Sequence, residues 1–386
     1  MADAQKELPK KRIDDIEILR AFAVILVIIE HMKLNLFHWS TPALKLFYDN
    51  FGGWTGVDLF FAISGYVIAR DLVPKLRGAE SRDSYFSITL AFWARRFWRL
   101  IPSAWTWLTL VLLASVFCNN TGAWGTVPNN VETVLSAFLQ IANFHVAHVY
   151  GKEFPGAAFV YWSLSLEEQF YLLLPLLVFV CNRKLAYVLG AFVLLQIFLA
   201  RETALLALTR TDALFLGVLI ALWAQHPSYR LFKPQFLVHP LGALAFLTLL
   251  LLALACVGSE GLRIIEFRYG LIALISALLV LAASYDQNYY SRPGVVKTLL
   301  LWTGTRSYAL YLTHVPSYFL TREIWFWLEP AGTKFNTQYT YSFLATALIL
   351  LLVMSELNYR FIEVPFRRRG VEVARRMAVK RGRGEV

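Results

Sequence analysis

Arg20 and His31 stand eleven positions apart in IEILRAFAVILVIIEHM, residues 16–32, an otherwise apolar run broken elsewhere only by Glu17 and Glu30. Eleven residues of α-helix turn through about 1100°, roughly 20° past three full turns, and rise about 16 Å. The two side chains therefore share one face, separated by about half the thickness of a bilayer's hydrocarbon core. An ionisable group at the centre of a spanning helix costs roughly 2.5–3.5 kcal/mol on insertion scales, so such residues face the protein interior and mark sites. The competing reading lets Arg20 snorkel to headgroups and leaves His31 at the opposite interface.

Other apolar blocks are interrupted in the same way. In YWSLSLEEQFYLLLP, residues 161–175, Glu167 and Glu168 lie one to two turns inside a helix. Neighbours on a helix point about 100° apart, so only one of them can face a given cavity. A carboxylate at the depth of His31 would orient the imidazole and stabilise its charged form, a general-base pair. RRFWRLIP brings Arg95, Arg96 and Arg99 into the third apolar block just before Pro102. Positions 95 and 99 are one turn apart, and guanidinium forks suit phosphate; anchoring on the cytoplasmic side is the plainer reading. GVDLFFAISGY, residues 56–66, places Asp58 near the outer mouth and Ser64 deeper. Arg210 and Asp212 would either clamp an acceptor at the outer surface or pair with each other. His314, in a helix with Tyr308 and Tyr311, is read first as a structural hydrogen bond and second as a site contact. Trp54, Trp124 and Trp162 are expected near the outer interface, as lipid-belt aromatics or as platforms for a sugar ring. The sequence holds no Gly-rich phosphate loop, no serine nucleophile elbow and no His/Cys metal spacing.

The elements that must position these residues follow from composition. With 386 residues, 58% hydrophobic and only 16% charged, and a mean hydropathy of +0.52, the chain is not a set of soluble domains. Its apolar blocks have helical rather than barrel-strand length, so the expected fold class is an all-α polytopic membrane protein. Ten spans are predicted, near 16–36, 52–70, 98–118, 160–181, 185–200, 211–225, 239–257, 264–284, 304–326 and 340–362. With both termini cytoplasmic, 28 of the 37 lysine and arginine residues fall inside, as the positive-inside rule demands. Counting Val131 to Phe144 as a span would invert all that follows, so this run is expected as a re-entrant or interfacial helix in a long outer loop. The net charge of +11 then reports orientation and anionic lipid rather than nucleic acid. The domain reading is a cytoplasmic segment 1–15, a transmembrane domain 16–365 and a basic cytoplasmic tail 366–386. Cys118, Cys181 and Cys256 read as packing residues. No cleavable signal peptide is expected, because the first apolar run lacks a cleavage site.

Taken together the motifs resemble the acyltransferase 3 family of integral membrane O-acyltransferases, over nearly the whole chain. The carriers are LRAFAVILVIIEH, GVDLFFAISGY, RRFWRLIP, WSLSLEEQFYLLLP, RTDALFLG from Arg210, GTRSYALYLTHVP from Gly304 and EVPF from Glu363. The resemblance implies ten spans and transfer of an acyl group, often acetyl from acetyl-CoA, to a hydroxyl of a sugar or lipid-linked acceptor. It makes His31 the catalytic histidine, as base or acyl carrier, Arg20 its partner, and Arg95, Arg96 and Arg99 the acyl-donor site. Glu167 fits the family's glutamate better than Glu168. Ala21 stands where many members have Gly, and Glu30 beside the histidine is an unusual neighbour. Acceptor contacts are expected from Asp58, Trp162, Glu168, Tyr171, Arg210, Asp212 and His314. Acyl-CoA enters as co-substrate, with no tightly bound cofactor and no metal. Partners are the carbohydrate or glycolipid acceptor and membrane lipid, in a bacterial cytoplasmic membrane; the oligomeric state stays open. No serine-hydrolase-like domain follows the membrane part, so a second acyl-handling step would need a partner. A transporter is the rival reading, since midspan polar residues also line translocation paths; an inverted repeat is missing.

Overall fold

The structure is a computed structural model in which residues 12–382 are described; residues 1–11 of the N-terminal segment and 383–386 of the tail lie outside that range. The chain is helical throughout. In order the helices are α1 (Asp14–Asn35), α2 (Pro42–Asp49), α3 (Gly56–Arg77), α4 (Arg82–Phe117), α5 (Val127–Phe138), α6 (Ala142–Val149), α7 (Tyr161–Cys181) and α8 (Leu185–Ile197). Then come α9 (Ala204–Leu208), α10 (Asp212–Trp223), α11 (Pro240–Val257), α12 (Arg268–Ser284), α13 (Val295–Thr305), α14 (Ser307–Leu328), α15 (Thr340–Asn358) and α16 (Val364–Gly382). Side-chain caps start several of them: Thr41, Ser81 and Thr126 each accept the backbone N–H three residues on, satisfying a donor the helix leaves open.

Among the described residues, five helical segments are long and apolar enough to cross a bilayer: Arg82–Phe117, Tyr161–Ile197, Ala204–Trp223, Pro240–Val257 and Thr337–Met377. Arg268–Ser284 is a shorter apolar helix. Helices α8 and α11 are apolar on every side and turn Phe192, Leu195, Leu244 and Leu249 outward, as lipid-facing helices do. The chain is an all-α, polytopic integral membrane protein. A helix also occupies each of the other windows marked by the sequence; α1 and α3 carry more charged residues than a plain lipid-spanning helix. Those two helices form the interior: α1 packs on α3, α13 and α14, and α3 packs most extensively on α10. A Cβ added to Gly65 would lie 2.1 Å from the Leu214 carbonyl, and one on Gly217 would lie 2.1 Å from the Ala62 carbonyl. Only glycine at both places lets these helix backbones meet.

Two expectations change. Val131–Phe144 is not one helix: α5 and α6 are separate, broken at Gln140, whose φ is +59°. The third block does not begin at 98, because Ser81 caps a 36-residue helix and the arginine motif sits in its middle. The basic segment that follows α15 is helical: a π-helical turn, Tyr359–Glu363, carries α15 into α16, which docks along α4. There Phe366 stacks on Trp98 with ring centroids 5.7 Å apart, and a Cβ on Gly370 would lie 2.6 Å from the Trp98 Cβ.

Candidate active site

α1 is regular between Arg20 and His31; its irregular residues are Lys33 and Leu34. The two side chains therefore keep the helical spacing of about 16 Å. At the upper position, His31 Nδ1 lies 2.9 Å from His314 Nε2, and the rings are stacked at 5.0 Å. His314 Nδ1 is 2.6 Å from the Tyr311 carbonyl. A carbonyl only accepts, so His314 Nδ1 carries the proton, and its Nε2 in the neutral ring has the lone pair. That lone pair accepts from His31 Nδ1–H. The lone pair of His31 is consequently left on Nε2, the state a general base or nucleophile requires. His314 is fully buried whereas His31 is only part-buried, and Phe159 meets the His31 ring edge-on at 5.3 Å.

Below this pair a cavity opens between the helices, with an empty volume of about 670 Å³ including its open mouth. Arg20, Arg96 and Arg99 line one part of it, Ser64, Glu167 and Tyr171 another, and Ser163 with Tyr311 a third. Tyr311 belongs to both compartments: its hydroxyl donates to the Val160 carbonyl at 3.0 Å, its ring tilts against His314 at 5.5 Å, and its carbonyl holds the His314 tautomer. Arg20 is oriented by Glu17 across 2.7 Å. The guanidinium of Arg96 lies 5.1 Å over the ring of Tyr171. Arg99 lines the cavity, and its Nε is buried with no hydrogen-bond partner among the described residues.

The expected residues divide sharply. Arg96 and Arg99 line the cavity together, but Arg95 does not: its Cα faces Gly370 of α16, 3.6 Å from where a Cβ would stand. The useful spacing is therefore i,i+3 and not the i,i+4 pair. Glu167 faces the cavity as expected, yet it does not orient His31. Ser64 and Tyr171 donate to its carboxylate, while the place expected for it beside the imidazole is held by His314. Glu168 lies against the field of Arg96 and Arg99 instead. Glu30 accepts the Gly53 N–H at 2.7 Å, which ties the start of α3 to α1. Asp58, Arg210 and Asp212 form no surface clamp, and the last two do not pair with each other. Asp58 is fully buried and receives Arg210 Nε and Nη2 at 2.7 and 2.8 Å; Asp212 is fully buried against Arg201 at 2.8 Å. Trp54 and Trp162 are not a lipid belt, since both stack on Arg210, at 5.4 and 5.0 Å; Trp124 is a core residue against Phe319. Sequence reasoning missed Ser163 and Tyr311, although Tyr311 stands one helical turn before His314, the spacing that lets its carbonyl reach the ring. Among the described residues no group of three His, Cys, Asp or Glu side chains is placed to hold a metal ion.

Comparison with known proteins gives the family. The profile of the acyltransferase domain matches residues 13–361. The chain is 30% identical over 387 residues to the peptidoglycan O-acetyltransferase OatA of Listeria monocytogenes, covering 94% of this chain and 57% of that protein. It is 27% identical over 407 residues to the O-acetyltransferase OatA of Staphylococcus aureus, covering 94% and 58%. It thus spans a little over half the length of these relatives. No solved structure matches. A match across the spans that carry Arg20, His31, Arg96, Arg99, Glu167 and His314 leaves one assignment: the chain belongs to the acyltransferase 3 family of membrane acyltransferase domains.

Proposed function

We propose that the protein moves an acyl group, acetyl in the first instance, from acyl-CoA to a hydroxyl of a glycan or glycolipid in a bacterial cytoplasmic membrane. The observation that carries this reading is the single cavity that leads from three guanidinium groups to the tyrosine supporting the histidine pair. The arginines take the donor's phosphates, and Arg99 supplies an unpaired N–H. The acyl-bearing arm lies along the cavity toward Tyr311 and Ser163. His31 Nε2 takes the proton of the acceptor hydroxyl as that oxygen attacks the thioester carbonyl; the C–S bond breaks, the ester forms, and CoA leaves as its thiolate, which takes the proton from His31. Alternatively His31 Nε2 attacks the carbonyl itself and expels CoA thiolate; the acceptor hydroxyl then attacks the acyl-imidazolium, its proton passes to the thiolate, and the acyl–nitrogen bond breaks to free His31. In either course His31 becomes cationic while its Nδ1–H still donates to neutral His314, so the charge is stabilised without a proton leaving the pair. Glu167 holds Ser64 and Tyr171 in the cavity wall beside the arm's path. The glycan acceptor is drawn from the relatives' O-acetyltransferase activity.

The test is release of free thiol from acetyl-CoA by the purified protein in nanodiscs, with bacterial glycans as acceptors. Transfer that survives in His31→Ala at the native rate would overturn the mechanism, and acceptor movement across the membrane without thiol release would make the protein a transporter. The same proposal has ten spans, both termini in the cytoplasm and residues 119–159 outside. In a background with Cys118, Cys181 and Cys256 replaced by serine, a cysteine at Gln140 should react with an impermeant maleimide from outside and one at Arg376 should not; the reverse pattern would overturn the topology.

A further inference from the structure

A second pocket opens at the His31 end of α1, with an empty volume of about 530 Å³ including its mouth. The helix stops there abruptly. Lys33 is extended, with ψ of 124°, and Leu34 adopts φ of +67°, a region side-chain-bearing residues rarely enter. Leu34 is 73% exposed, so its own burial does not hold that conformation. The turn brings Lys33, Phe37, His38 and Trp39 back to face Lys45 and Tyr48 of α2.

The walls are fixed and the charges are not consumed. The Trp39 indole N–H donates to Thr340 Oγ1 at 3.0 Å, and the Tyr48 hydroxyl donates to the Ile29 carbonyl at 3.1 Å. Lys33 Nζ stands 5.7 Å from the centre of the Tyr48 ring. Neither Lys33 nor Lys45 forms an ion pair with a described carboxylate, although Asp49 lines the same pocket. The nearest other acids are engaged: Glu30 by the Gly53 N–H, and Glu323 by four donors of Asn120 and Thr121. Arg322 faces His38; burial first, and this guanidinium second, hold the His38 imidazole below its ordinary pKa, so it stays neutral near pH 7. Two lysines, Lys33 and Lys45, thus line one mouth whose first residue stands two positions from His31.

Aromatic rings with fixed edges suit the apolar face of a sugar, and unpaired ammonium groups suit an anionic oxygen. We infer that this pocket is the acceptor subsite and that it selects an acidic saccharide, a sugar whose ring packs on Trp39 and whose carboxylate is met by Lys33 and Lys45. The inference rests on the proposed function for the role of His31, but its test does not.

The full chain in phosphatidylcholine nanodiscs is titrated with a tetrasaccharide of alternating glucuronate and N-acetylglucosamine, and separately with chitotetraose, which has the N-acetylated rings without carboxylates. The acidic tetrasaccharide should bind at least tenfold more tightly. The double variant Lys33→Gln/Lys45→Gln should lose that preference and keep native affinity for acetyl-CoA, while Trp39→Ala should weaken both saccharides. Equal affinity for the two saccharides, or a preference unchanged in the double variant, overturns the proposal. Displacement of the acidic saccharide by phosphatidylglycerol, with the two lysines governing lipid retention, overturns it in favour of a lipid-headgroup site. If the preference holds and no thiol is released, the transfer reading fails and the subsite stands.

Discussion

His314 accepts the Nδ1–H of His31 while giving its own Nδ1–H to the carbonyl of Tyr311, so one backbone oxygen fixes the tautomer of two imidazoles. Replacing His314 by alanine should lower kcat for acyl transfer by about 10²-fold or more, the scale of a mispositioned base, and leave KM for acetyl-CoA near native. His314→Gln, whose amide can still accept, should recover part of the rate. Since only the neutral imidazole can take a proton, activity should fall as pH drops through the His31 pKa, and that acidic limb should move in His314→Gln. Native kcat and an unmoved limb in His314→Ala would reduce the pair to packing.

Arg96 and Arg99 share the cavity while Arg95 backs onto α16. Losing a charge-assisted hydrogen bond costs roughly 1.5–3 kcal/mol, about a 10- to 150-fold rise in apparent KM for acetyl-CoA in Arg96→Gln or Arg99→Gln. Arg95→Gln should change that KM much less. Steady-state kinetics on the three variants decide the matter; equal effects at all three positions would mean a diffuse basic surface in place of a defined cradle.

Ser64 and Tyr171 donate to the same oxygen of Glu167, an acceptor that Glu167→Gln retains while losing the charge. The rate should drop by about tenfold or more, while the thermal midpoint in detergent moves little, since what is at risk is the charge assistance of these bonds, about 1 kcal/mol. A variant that loses its fold before its rate would make Glu167 a structural residue.

Asp58 and Arg210 are a buried bidentate pair. Arg210→Ala strands the carboxylate and should destabilise by roughly 3–5 kcal/mol, seen as a large fall in thermal midpoint. Asp58→Asn/Arg210→Met, which removes both charges, should be milder than Arg210→Ala. An intact midpoint with a raised KM for the acceptor would restore the surface-clamp reading.

Helix positions were legible because apolar length and charge asymmetry act locally: every expected window holds a helix, and His31, Glu167, Arg96 and Arg99 stood out as candidates because ionisable residues are rare in such runs. The pairings were not. Spacing along one helix places Arg20 and His31 on a face, but the identity of the residue opposite depends on the approach of α14, and a buried neutral histidine leaves no charge signature in sequence. The same limit made Arg210 and Asp212 look like partners. They stand two positions apart in sequence, and each is claimed by a residue from elsewhere, Asp58 and Arg201. Tryptophans were misjudged because indole frequency at interfaces says nothing about a guanidinium waiting inside.

The docking of α16 on Trp98 has a mechanical consequence. Trp98 lies between Arg96 and Arg99 in sequence, and Phe366 and Gly370 grip it from behind. The C-terminal helix is thus a lever whose short arm ends at the donor cavity. A purification handle, surface tether or fluorescent fusion attached beyond residue 364 pulls on the turn that presents both guanidinium groups, so preparations anchored at that end should differ from untethered ones in KM for acyl-CoA before they differ in anything else.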